Sequence, residues 1–175
     1  PETVPLYTDL RVSAYLAFVA EVKGVGRSAR RARVAEVMDR CLISDVQNRL
    51  IGKLSKGYRQ RVGLAQAIVH EPPVLILDEP TVGLDPIQIR EIRDLIAELA
   101  SGSGAEAERQ TVVLSTHILA EVEAICRRVI LINGGRKVID GSLAELTAGG
   151  QRLEEVFTRV TLGAESAPEP SGAPA

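Results

Sequence analysis

Leu54-Ser55-Lys56-Gly57-Tyr58-Arg59-Gln60-Arg61, then Val74-Leu75-Ile76-Leu77-Asp78-Glu79-Pro80, then Gly83-Leu84-Asp85, is the stretch on which the reading of this 175-residue chain turns. The apolar run Val74 to Leu77, ending in two carboxylates, predicts a short strand buried on both faces of a parallel sheet. Upstream, Val62, Ala65, Ile68 and Val69 recur at helical spacing from a start near Ser55 until Pro72-Pro73 stops the helix. Downstream, Pro86 suits a first helical position, and Ile89, Ile92, Leu95, Ile96 and Leu99 form one buried stripe. A phosphate loop of form G-x-x-x-x-G-K-[ST] is not in this chain. Its only Gly-Lys pair is Gly52-Lys53, with Gln47 in place of the first glycine and Leu54 in place of the hydroxyl.

Working outward, Val12, Tyr15, Leu16, Val19 and Val22 predict a helix from Thr8 or Asp9 that Gly24 stops. A second helix, capped by Ser28, carries Val34, Val37, Met38 and Cys41 on one stripe. An irregular stretch from Ser44 to Leu54 follows, so the first 70 residues read as helical. Beyond the polar loop Ser101 to Gln110 come a strand at Val112 to Ser115 and a short helix from about Ile118 to Ile125. Strands at Val129 to Ile132 and Val138 to Ile139 flank Gly134-Gly135, the signature of a hairpin turn. Short helices at Ser142 to Thr147 and Leu153 to Thr161 close the fold. From Gly163 onward only Ala, Pro, Glu, Ser and Gly remain, and residues 163–175 are expected to form a disordered tail.

Composition sets outer bounds on the class of protein. A hydrophobic content of 45% supports one domain with a sizeable core. A net charge of −2 gives no electrostatic footprint for nucleic acid, and the cluster Arg27, Arg30, Arg31 and Arg33 reads as the solvated face of a helix. Cys41 and Cys126 lie far apart without ligand-spaced partners, so neither zinc nor a disulfide framework is indicated and a reducing, cytoplasmic setting fits. The longest apolar run, Ala14 to Ala20, is far short of the about 18 residues that cross a bilayer. No signal peptide is visible, and a chain that opens on Pro1 is read as starting inside a longer reading frame.

In an open α/β sheet ligands gather beyond the carboxyl ends of the strands, which here are Asp78-Glu79 and Thr116-His117. Adjacent carboxylates at a strand end point in different directions and can divide labour: Asp78 toward a hydrated magnesium, Glu79 toward a water to be polarised. A solvated acidic turn is the plainer alternative. His117 can hydrogen-bond a terminal phosphate oxygen, or simply start a helix, while His70 beside Pro72 reads as a helix-end residue. Ser55, Lys56 and Gly57 offer a hydroxyl, a close backbone approach and a helix N-terminus suited to an anion; Ser55 as an ordinary N-cap is the alternative.

Taken in order, these segments resemble the signature, Walker B, D-loop and switch-histidine motifs of ATP-binding cassette (ABC) ATPases, from Leu54 to Arg61, the strand into Asp78-Glu79-Pro80-Thr81, Gly83 to Pro86, and Ser115-Thr116-His117. Pro1-Glu2 with Pro5-Leu6-Tyr7 resembles the end of the Q-loop, with Glu2 where many members have glutamine. Leu153-Glu154-Glu155-Val156-Phe157 resembles the C-terminal close of ABC-2-type export subunits. Lys56 and Tyr58 depart from the commonest signature form. The resemblance covers Pro1 to Leu162 and implies an α/β fold, a partial P-loop NTPase (ABC ATPase) fold with a helical signature subdomain. Residues 1–72 would hold the Q-loop remnant and helical subdomain, and residues 73–162 the C-terminal half of the ATPase core.

The same resemblance implies roles for particular residues. Asp78 would hold Mg²⁺ through water, Glu79 would polarise the attacking water, and His117 would contact the γ-phosphate. Ser55, Lys56 and Gly57 would meet ATP held by the opposite subunit of a head-to-tail dimer, with Asp85 coupling the two sites and Glu2 at the nucleotide through the Q-loop. The implied partners are a second ABC ATPase subunit and integral membrane permease subunits, with no nucleic acid. The implied setting is the cytoplasmic face of the cell membrane, and the implied activity is ATP hydrolysis that drives rearrangement of the membrane partners. The chain alone, lacking a phosphate loop, is expected to bind ATP weakly or not at all. Two other classes are a non-transport ABC ATPase acting on ribosomes or DNA, and a catalytically inactive remnant with an interaction role.

Overall fold

The computed structural model describes residues 5–102 and 110–165. It divides into two units, Pro1–Thr116 and His117–Ala175. In the first, helices α1 (Val12–Val22), α2 (Arg27–Arg40) and α3 (Lys56–Ile68) pack pairwise against one another. Their stripes face inward: Tyr15, Leu16 and Val19 from α1, Val34, Val37 and Met38 from α2, Val62, Ala65 and Ile68 from α3 are all buried. The stretch before α3 is tied down by two short 3₁₀ turns, Ser44–Val46 and Ile51–Lys53, with Ile43, Val46, Ile51 and Leu54 buried beneath it.

Helix α1 begins at Val12, later than the expected Thr8 or Asp9. The Val12 amide donates to the Arg49 carbonyl at 3.1 Å and the Leu10 carbonyl accepts from the Ile51 amide at 3.0 Å. The backbone that would form an earlier turn is thus spent on the 44–54 segment. Gly26, not Ser28, is the N-cap of α2, and no side chain caps it. The arginine cluster is also not one solvated face. Arg33 is only 9% exposed; its guanidinium donates to the carbonyls of Val69 at 3.1 Å and Ile68 at 3.0 Å and pairs with Glu36 at 2.7 Å and Glu71 at 3.1 Å. A buried cation thereby satisfies the orphan carbonyls at the C-terminus of α3, where the helix dipole favours positive charge.

Past Pro73 the chain forms β1 (Val74–Asp78), crosses through α4 (Pro86–Ser101) and returns as β2 (Thr111–Ser115), parallel to β1 in the register Val74↔Thr111 to Asp78↔Ser115. Helix α4 packs against β2 and buries Ile92, Leu95, Ile96 and Leu99. The strand is not buried on both faces as expected. Leu75 and Leu77 are 4% and 8% exposed, but Val74 and Ile76 are 51% and 73% exposed. Among the described residues β1 and β2 form a two-stranded sheet covered on one side only.

The second unit holds α5 (Leu119–Ile125), the antiparallel pair β3 (Arg128–Asn133) and β4 (Arg136–Ser142), α6 (Leu143–Leu146) and α7 (Leu153–Glu165). Gly134 and Gly135 join the strands with φ of +54° and +72°, the two left-handed positions that a tight hairpin turn requires. Ser142 and Glu145 make a reciprocal capping box at α6. Helix α7 packs against α5 and runs past Thr161 to Glu165, so the helix takes in the first residues of the compositionally biased C-terminus. Glu2 and residues 166–175 lie outside the described residues.

Candidate functional site

The site starts from the end of β1. Asp78, the last residue of the strand, is exposed, and Glu79 is half-buried. The Glu79 amide donates to the Ser115 carbonyl at 2.9 Å, extending the parallel ladder one step past the strand. Glu79 itself sits at φ +45°, a left-handed conformation that costs a side-chain-bearing residue about 1 kcal/mol or more. The turn reverses the chain within a few residues, the Val82 amide donating to the Glu79 carbonyl at 3.3 Å and the Leu84 amide to the Thr81 carbonyl at 3.2 Å. Two adjacent acidic residues thereby follow the strand, Asp78 exposed and Glu79 half-buried with its Oε2 out of reach of solvent.

The second component is the start of α3. Ser55 caps the helix, its hydroxyl accepting from the Tyr58 amide at 3.4 Å. Both readings of Ser55 are compatible here, because a capping hydroxyl stays exposed beside the remaining N-terminal amides. Tyr58 donates its hydroxyl hydrogen to Asp45 at 2.9 Å, and the Arg59 guanidinium donates to the Leu54 carbonyl at 2.8 Å, fixing the helix start on the loop before it.

The structure brings the start of α3 against the start of α4. The end of the Lys56 side chain lies beside Gly83, where an added Cβ would stand 2.9 Å from the lysine Cε. Gly57 is buried beneath the Gln88 amide, and an added Cβ there would stand 2.8 Å from Gln88 Cδ. The Gln60 amide donates to the Pro80 carbonyl at 3.1 Å, and Arg61 pairs with Glu91. Asp85 caps α4, its Oδ1 accepting from the amides of Ile87 at 3.0 Å and Gln88 at 2.9 Å. Lys56, Gly57, Gly83 and Asp85 therefore share one neighbourhood. His117 is exposed two residues beyond Ser115 and opens the second unit. Gln60 and Arg61 belong to the stretch the sequence analysis singles out, but their partners Pro80 and Glu91, 20 and 30 residues away, were not signalled by motif spacing, and neither was Gln88.

Among the described residues no three His, Cys, Asp or Glu side chains cluster as a metal cage, and no helix is long and apolar enough to cross a membrane. An exposed carboxylate at Asp78 nevertheless fits Mg²⁺, which keeps its waters and is held by one or two carboxylates together with substrate phosphates. Residues for the α- and β-phosphates are not in this chain, so the residues present fit the metal and the reacting end of a nucleoside triphosphate only.

A carboxylate pair at the end of a parallel strand, with a capped helix of a helical lobe hydrogen-bonded to the turn that follows it, makes an α/β core with a helical subdomain. A family profile described as "ABC transporter" matches residues 5–82. The ABC transporter ATP-binding protein NatA of Bacillus subtilis (strain 168) is 34% identical over 141 residues, covering 81% of this chain and 55% of that protein. A solved structure described as an ATP binding subunit of an ABC transporter superposes with a TM-score of 0.78 at 28% identity, covering 92% of this chain and 66% of the other. A dimeric post-hydrolysis state of the ATP-binding cassette MJ0796 bound to ADP and Pi superposes at 0.68 with 26% identity, covering 80% of this chain and 60% of the other. The chain belongs to the ATP-binding cassette ATPases. It spans about half the length of the curated relatives it matches, between 41% and 55% for NatA and two others.

Proposed function

We propose that the full-length protein is the ATP-hydrolysing subunit of an ABC transporter of the ABC-2-type export subset. It would work as a head-to-tail dimer bound to membrane-spanning permease subunits at the cytoplasmic face. The observation that carries this reading is the end of β1, where exposed Asp78 is followed by a half-buried Glu79 at φ +45° whose amide is held by a ladder hydrogen bond to the Ser115 carbonyl. Glu79 would accept a proton from the water that attacks the γ-phosphate, and His117 would hydrogen-bond the phosphoryl oxygens. Asp78 would hold a hydrated Mg²⁺, which when bound offsets the negative charge between the phosphates. Ser55 and Lys56, exposed at the start of α3, and Gly57, buried behind them beneath Gln88, would close on the ATP of the opposite subunit. Glu2 would reach the nucleotide through the Q-loop and Asp85 would couple the two sites. The dimeric ADP- and Pi-bound relative and the name of NatA support nucleotide turnover in a dimer and a transport role.

The test is Glu79→Gln in the full-length protein. ATP binding and ATP-dependent dimerisation are expected to persist while steady-state turnover falls at least about 100-fold, the scale of a lost general base. Near-normal ATPase activity in this variant would assign the water-polarising role to another group.

A further inference from the structure

Gly57 is the second residue of α3 and is buried, with an ordinary helical backbone and no positive φ. Glycine is the poorest helix former after proline, so conformation does not ask for it here. Space does. A Cβ at this position would run into the Gln88 carboxamide, closest to its Oε1, with Cδ at 2.8 Å and Nε2 at 2.9 Å. Gln88 belongs to the first turn of α4, three residues after the cap Asp85, the position from which a capping-box side chain turns back to the cap's own amide. Among the described residues no such return bond forms: Asp85 accepts from the Gln88 backbone amide at 2.9 Å, while the Gln88 side chain lies across α3. One turn further along α3, the Gln60 side-chain amide donates to the carbonyl of buried Pro80 at 3.1 Å and Arg61 pairs with Glu91, so the body of the helix is held to the same segment independently. The Gln88 contact falls on the first turn alone, beside the Ser55 cap and the N-terminal amides.

We propose that Gln88 is a positioning residue: lodged on the bare Cα of Gly57, its carboxamide fixes the first turn of α3 to the first turn of α4, so that the Ser55 hydroxyl and the Gly57 amide reach the opposite subunit's ATP in the same movement that carries Asp85. The glycine at position 57 is then required by Gln88 of its own subunit, and not only by the approach of a phosphate. The proposal rests on the reading that the start of α3 serves ATP held across the dimer, and the Gln88 contact supplies the means of holding it in place. A carboxamide at the end of a flexible side chain can swing aside, so losing the contact loosens one turn and leaves the helix folded.

The test is a double-mutant cycle in the full-length protein, with Gln88→Ala, Gly57→Ala and the pair, read by ATP-dependent dimerisation in analytical ultracentrifugation and by ATP turnover against protein concentration. Each single variant is expected to raise the Kd of the dimer at least about fivefold, and the pair to be no weaker than Gly57→Ala, the non-additivity of one shared contact. Plateau turnover of Gln88→Ala at saturating protein should match the parent, with Tm held within about 3 °C. A variant that merely unfolded would lose both together. Gln88→Met, which keeps the length of the side chain without its polar group, should dimerise as the parent does. Additive losses, a Gln88→Ala protein that dimerises like the parent, a lowered plateau or no rescue by Gln88→Met would overturn the proposal. Ser55→Arg separates that failure from failure of the reading beneath it. If Ser55→Arg abolishes the dimer while Gln88→Ala leaves it intact, the reading across the dimer stands and the positioning role falls. If the parent forms no ATP-dependent dimer, or Ser55→Arg forms it normally, both fall.

Discussion

Glu79 shows at the scale of one residue how conformation and chemistry compete. Its φ of +45° is a position where glycine would be free of strain, yet the chain holds a carboxylate there. Glu79→Gly is therefore expected to leave thermal stability equal to or above that of the parent while abolishing turnover. Glu79→Val, β-branched at the same φ, should cost about 1–3 kcal/mol. Differential scanning calorimetry on the two variants checks this; a Glu79→Gly protein melting well below the parent would show that the strain is not real. The identity of Asp78 and Glu79 as a strand-end pair was legible from four apolar residues and two acids. The left-handed turn was not, because nothing in Glu79-Pro80-Thr81 is a turn residue that favours positive φ.

At the scale of elements, the helices and strands were legible because their stripes and turn residues are strong, as Ile92, Leu95, Ile96 and Leu99 of α4 and Gly134-Gly135 between β3 and β4 illustrate. Joints between elements were not. Arg33 sits in a basic cluster that reads as a solvated face, yet it ties α2 to the C-terminus of α3 because the carbonyls of Ile68 and Val69 need donors there. Arg33→Ala should destabilise the protein by about 3 kcal/mol, since it orphans buried carbonyls that a charged donor satisfies. Arg31→Ala, two residues away and exposed, should change stability by less than about 0.5 kcal/mol. Equal losses in urea denaturation would contradict the joint. The same blindness applies to Gln60, Arg61 and Gln88, which pin the start of α3 to the segment after β1 through partners that sequence spacing does not reveal.

At the scale of the whole molecule, the first unit joins the helical lobe to β1, α4 and β2 across the change of residue character at Pro72-Pro73. Composition marks that change, but Arg40 pairs with Glu98 at 3.1 Å across it, a contact no local pattern signals. His70 stands near this junction with its pKa pushed below 6.5 by burial, and further by the charges of Lys23 and Arg33; its Nδ1 is buried and has no hydrogen-bond partner among the described residues. A depressed histidine pKa means that the unfolded chain takes up the proton first. The stability from neutral His70 is complete above pH 6.5 and lost as the pH falls below it toward the folded pKa. His70→Gln should flatten this acid-side loss between neutral pH and about pH 5, read as Tm against pH; a parallel profile in both proteins would remove His70 as its source.

The central claim is that Asp78 and Glu79 serve ATP bound by their own subunit whereas Ser55 and Gly57 serve ATP bound by the partner. Mixed dimers of the full-length protein test it most directly, with Glu79→Gln and Ser55→Arg placed either on different subunits or together on one subunit beside an unaltered partner. Single-turnover ATP hydrolysis should survive at one site when the substitutions are on different subunits, because both then fall in the same composite site. It should be abolished when they share a subunit. Survival in the second arrangement and loss in the first would place Ser55 and Glu79 at the same subunit's ATP and contradict the account.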